Sequence, residues 1–125
     1  MTKKVISIPG APKLPLSPAV RAGDFIFVSG QGGHKDTEGR EAKGIEAQTK
    51  VCLEKVKRTL TAAGASMDDV VKATIFLRNT ADFTKMNEVY QSFFPGDKPS
   101  RATVLTGLGL PEMLVEIECI AYRQS

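Results

Sequence analysis

Between Ile45 and Ala63 the apolar positions recur at spacings of three and four: Ile45, Thr49, Cys52, Val56, Leu60 and Ala63 form one stripe, with Leu53 beside it. That period predicts an amphipathic helix covering something flat. Glu46 with Lys50 and Glu54 with Arg58 are i, i+4 pairs in the favourable order, and Gly64 suits the C-terminal cap. A second helix is predicted from Ala81 to Phe93, where Phe83, Met86, Val89, Tyr90 and Phe93 repeat at the same spacings before Pro95-Gly96 ends it.

Elsewhere the pattern is of strand type. Phe25 to Val28 form a short buried run ending at Ser29-Gly30; VVKATIFL, RATVLT and MLVEIECIAY follow later in the chain. In the last run Val115, Ile117, Cys119 and Ala121 share one face, and Glu116, Glu118, Ile120 and Tyr122 the other. Strands on both sides of two helices predict an α+β fold, with both helices on one face of a mixed sheet. The opposite face then needs its own cover, for which a partner subunit is the natural candidate. Ser66 to Asp69 reads as a one-turn cap, GLGLPE as a turn, and GGHKDTEGREAKG as an exposed hairpin or loop.

Prolines at 9, 12, 15 and 18 fix φ and remove donors at every third residue, so this segment is expected to run extended as a lid or wall. The 125 residues are read as one domain, 1–125. A content of 42% hydrophobic and 25% charged residues fits a globular chain, and the net charge of +3 is scattered, which favours small anionic ligands over nucleic acid. Cys52 and Cys119 are read as buried reduced thiols, and one histidine, His34, read as solvated, leaves no zinc-ligating spacing. The basic N-terminus lacks the apolar core of a secretory signal and no stretch reaches membrane-spanning length, so a cytoplasmic protein with no membrane partner is expected.

Phosphate-loop, dinucleotide-binding and nucleophile-elbow motifs are absent. Within apolar runs the polar positions reduce to Ser29, Arg101, Thr103, Glu116 and Glu118. A partly buried Arg101 cannot shed its charge, so it needs an anion beside it. Residues alone leave two answers: an internal ion pair with Glu116, Glu118 or Asp97, or a bidentate clamp for a ligand carboxylate.

AGDFIFVSGQ, the stretch from IEAQTKVCLEKVKRTL through NEVYQSFF, PSRATV and LVEIECIAYR together resemble the Rid family, also called YjgF or L-PSP, in order from about residue 14 to 123. The resemblance implies a chorismate-mutase-like homotrimer with ligand clefts between subunits, acting on reactive 2-imino acids such as 2-iminobutanoate or 2-iminopropanoate without a cofactor. It implies that Arg101 clamps the substrate carboxylate, that Thr103 offers a backbone N–H to it, and that Ser29 and Gly30 line the cleft. Glu116 would hold and polarise the attacking water, and Asn87 would be architectural. Leu16 stands where the family has a cleft tyrosine, and Pro18 where it has glutamine, which predicts an altered side-chain preference. Two other readings compete: a non-catalytic trimer that binds 2-keto acids, favoured by Leu16, and an endoribonuclease, for which the chain offers neither a histidine pair nor an aromatic-laced basic stripe.

Overall fold

A computed structural model of the chain describes residues 2–125. Six strands form one mixed sheet: β1 (Lys4–Ile6), β2 (Ala19–Ala22), β3 (Phe25–Gly32), β4 (Val70–Leu77), β5 (Ser100–Leu105) and β6 (Val115–Tyr122), in the spatial order β1-β2-β3-β6-β4-β5. Helix α1 (Ile45–Ala62) connects β3 to β4, and α2 (Phe83–Ser92) connects β4 to β5. Because β3 and β4 both pair antiparallel with β6, they run the same way, and α1 is the crossover that this requires. Strands β4 and β5 are parallel, with α2 as their crossover.

The stripe predicted on α1 is the buried one, and with Met86 and Tyr90 of α2 it packs onto Ile26, Val28, Ala73, Ile75, Leu77, Val115, Ile117, Cys119 and Ala121. Both helices therefore cover one face, as expected. The other face carries Phe25, Phe27, Phe76, Val104, Glu116, Glu118, Ile120 and Tyr122, of which Phe25, Phe27, Val104, Glu118 and Tyr122 are exposed. Among the described residues no helix is long and apolar enough to cross a membrane.

Several boundaries differ from expectation, each for a physical reason. The proline-rich stretch, expected to be extended, instead folds through successive turns, the Ala11 N–H donating to the Ile8 carbonyl at 3.2 Å and the Leu16 N–H to that of Leu14 at 2.7 Å, and its flanks pair: β1 and β2 form a ladder and β2 turns into β3 at Gly23, whose φ of 62° suits glycine. β1 is an edge strand and β2 lies inside it, and at three and four residues both are too short to mark themselves with an apolar alternation. Strand β3 runs on to Gly32 through an irregularity between Val28 and Gln31. Helix α2 begins at Phe83 after a 3-10 turn over Thr80–Asp82. The Ser66 turn forms its capping box, with the Ser66 N–H donating to Asp69 Oδ2 at 2.9 Å. Neither Glu46–Lys50 nor Glu54–Arg58 closes as an ion pair among the described residues; Arg58 instead reaches the carbonyl of Pro9 at 3.1 Å.

Candidate functional site

Arg101 lies on edge strand β5 opposite Ala73, on the helix-covered side of the sheet. Its guanidinium carbon stands 4.9 Å from the Tyr90 ring centre and 5.8 Å from that of Phe83, both on α2. Aromatic faces hold a cation by their quadrupole without using its N–H donors. No ion pair or hydrogen bond of the Arg101 side chain occurs among the described residues, so the internal pairing with Glu116, Glu118 or Asp97 does not form. The result is a half-buried, fixed cation with its fork of donors unspent.

Thr103 follows on the same face as Arg101. The Thr106 N–H donates to the Leu77 carbonyl at 3.0 Å, and backbone groups along a strand point alternately to either side. The N–H and carbonyl of Thr103, three positions earlier, therefore face away from β4 and toward the open sheet edge. An N–H facing the open edge and, two residues earlier on the same strand, a guanidinium without a hydrogen-bond partner among the described residues are both groups of the kind that anions accept from.

Glu116 lies on the opposite face, between Gly32 of β3 and Phe76 of β4. Its carboxylate rests over Gly30, where a Cβ would collide with Glu116 Oε2, so glycine is what allows the approach. Ser29 ties the proline-rich segment to β3: its hydroxyl donates to the Ser17 carbonyl at 2.6 Å and its N–H to the Pro18 carbonyl at 3.0 Å. Leu16 is thereby held beside the end of β3 with its side chain exposed, and Leu16, Pro18 and Gly30 border a cavity of about 480 Å³.

The residues singled out from the sequence thus fall into two half-sites. Arg101 and Thr103 occupy the helix side at one edge; Gly30 and Glu116 meet on the free face, next to Ser29 and Leu16. Within one copy of the chain Arg101 and Glu116 thus project from opposite faces of the sheet.

Three features escaped the sequence reading. Tyr90 and Phe83 form the shelf under Arg101 rather than only core, and burial pushes the Tyr90 phenol up to about 12, its hydroxyl being buried without a partner among the described residues. Gln48 is buried and clamps two loops, donating to the Ala42 and Glu112 carbonyls and accepting from the Leu114 N–H at 2.8 Å. His34 is half-buried rather than solvated, with Nδ1 buried and unpartnered among the described residues. The buried state expected of Cys52 and Cys119 is observed, and burial pushes both thiols up to about 12.

A family model described as Endoribonuclease L-PSP matches residues 8–123. A RutC family protein of Pyrococcus abyssi is 44% identical over 127 residues, covering 99% of this chain and 100% of the relative. TdcF of E. coli, solved with bound serine, is 33% identical with a TM-score of 0.88, over 97% of this chain and 99% of that one. RidA of the Antarctic bacterium Psychrobacter sp. is 34% identical with a TM-score of 0.87, over 95% and 98% of the two chains. The fold is thus that of the YjgF and L-PSP structures. The chain belongs to the L-PSP family, whose members also carry the names Rid and YjgF.

Proposed function

We propose that the protein hydrolyses 2-imino acids to 2-keto acids and ammonia, at clefts where Arg101 and Thr103 of one copy meet Leu16, Ser29, Gly30 and Glu116 of the next in a homotrimer. The observation that carries the reading is the unpaired Arg101 guanidinium over Tyr90 and Phe83, with the outward Thr103 N–H beside it. A planar fork held by aromatic faces suits a carboxylate, bidentate, and the neighbouring N–H supplies a further donor. The exposed apolar free face supports burial against another copy, and the relative TdcF, with its bound serine, supports a small ligand carrying a carboxylate.

In this reading Glu116 accepts a proton from water as the water oxygen bonds to C2 of the imine, and passes that proton to the imine nitrogen to give the carbinolamine. The carbinolamine then loses ammonia as C2–N breaks and the keto C=O forms, with Glu116 taking the hydroxyl proton and delivering it to the departing nitrogen. No covalent enzyme intermediate is needed, because orientation and one proton shuttle suffice for an electrophile already prone to hydrolysis. The test generates 2-iminobutanoate in situ with semicarbazide competing for it. Wild type should divert the imine to keto acid, and Arg101→Ala and Glu116→Gln should not; full activity in either variant would remove that residue from the reading.

Leu16 favours one alternative, a trimer that binds keto acids without turnover, since an exposed leucine supplies no hydroxyl to the cleft. Thermal stabilisation by 2-oxobutanoate with no diversion of imine would select it.

A further inference from the structure

The cavity of about 480 Å³ behind Leu16 is built differently from the Arg101 edge. The proline-rich segment supplies one wall, including Pro12 and Leu14, and Met113 adds to the apolar lining. Lys55 and Arg58, one turn apart on α1, supply a cationic wall, and His34 adds an imidazole whose Nδ1 is buried and unpartnered among the described residues.

Both cations are anchored but not exhausted. Lys55 Nζ donates to the Gly32 carbonyl at 2.9 Å and Arg58 Nη2 to the Pro9 carbonyl at 3.1 Å, and neither meets a carboxylate within ion-pair distance among the described residues. An ammonium keeps two more donors and a guanidinium four. Asp36, the carboxylate in the lining, is committed to the Arg40 side chain and to the N–H groups of Glu38 and Arg40. Burial holds the Lys55 ammonium below its usual range, so an anion beside it would relieve a cost the free protein carries.

We infer that this cavity is a second ligand site, for a carboxylate with an apolar body, with the carboxylate on Lys55 and Arg58 and the body against Pro12, Leu14 and Met113. The site uses neither Arg101 nor Glu116, and it does not rest on the imine reading. It shares only Leu16 and Gly30 with the proposed cleft.

Phenylacetate is a suitable probe, having a carboxylate and a ring but no carbonyl or imine carbon to react. Calorimetric titration of the Arg101→Ala protein isolates the cavity from the cleft. Binding is expected to persist there and to weaken about tenfold or more in Arg101→Ala with Lys55→Met, the scale of one charge-assisted hydrogen bond. Because Lys55→Met also cuts the tether to Gly32, Leu14→Asp serves as a second variant: Leu14 is exposed, and a carboxylate at the mouth should repel the probe while both tethers stay. No binding to Arg101→Ala, or binding unchanged by both substitutions, overturns the site. Inorganic phosphate binding as tightly as phenylacetate would overturn the role of the apolar wall.

Discussion

Arg78 and Arg101 are the same residue type, both half-buried beside the β4–β5 end of the sheet, yet they are used in opposite ways. Arg78 donates from Nε to the Met113 carbonyl and from Nη2 to that of Leu110, both at 2.7 Å, and so latches the turn before β6. The Arg101 side chain donates to nothing among the described residues and is held only by two rings. A guanidinium whose donors meet backbone carbonyls is part of the fold; one whose charge is supported by rings alone keeps its donors open.

The largest expected effect separates the two. Arg101→Ala should lower kcat/KM for iminobutanoate by about 100-fold or more, as loss of a buried carboxylate partner does, with little change in urea midpoint. Arg78→Ala should do the reverse, costing about 2 kcal/mol of stability by leaving carbonyls unpaired, with activity per folded molecule largely kept. If Arg101→Ala unfolded the protein as readily as Arg78→Ala, the contrast would collapse.

Next comes the division of the site across the sheet. Arg101→Ala and Glu116→Gln chains should each be inactive alone, but unfolding and refolding them together should restore about a quarter of wild-type activity, since a random assembly pairs two unmutated halves at that frequency. No recovery in demonstrably mixed oligomers would mean that the two residues do not share a cleft.

The two arginines also show what is legible in the sequence and what is not. The helix stripes and the two faces of β6 were legible because burial imposes a period, and Arg101 stood out because a charge interrupted a strand. Its shelf was hidden: Tyr90 and Phe83 fit the apolar stripe of α2, and a ring that packs and a ring that carries a cation have the same pattern. The separation of Arg101 from Glu116 was hidden too, because alternation gives faces within each strand but not the sheet order that relates β5 to β6. Gln48 and His34 left no trace beyond one polar residue in a helix and one in a glycine-rich loop, since their burial depends on loops that close from distant sequence.

Arg101 shares the helix side of the sheet with two buried thiols, which should leave their mark on stability rather than on activity. Burial raises Cys52 and Cys119 from 9.0 to about 12. Below pH 9 both states keep these protons; above it the unfolded chain releases them while the folded one retains them, so stability falls as pH rises toward 12. Each thiol should contribute roughly 1 kcal/mol per pH unit over that window. Urea titrations from about pH 8 to 11 should show the decline, and Cys119→Ala should flatten it; a slope indifferent to both cysteines would place the alkaline loss elsewhere.

The smallest effect asks which part of Tyr90 supports Arg101. The ring lies 4.9 Å from the guanidinium carbon, whereas the hydroxyl is buried without a partner among the described residues. If the ring alone matters, Tyr90→Phe should leave kcat/KM within about twofold and raise stability by up to about 1 kcal/mol, because a buried donor with no acceptor is removed. Tyr90→Leu keeps an apolar side chain but loses the quadrupole, and should raise KM by about fivefold, the scale of a partly desolvated cation–π contact. Equal losses in the two variants would instead assign the hydroxyl a contact with the ligand, and Arg101 would then share its carboxylate with Tyr90.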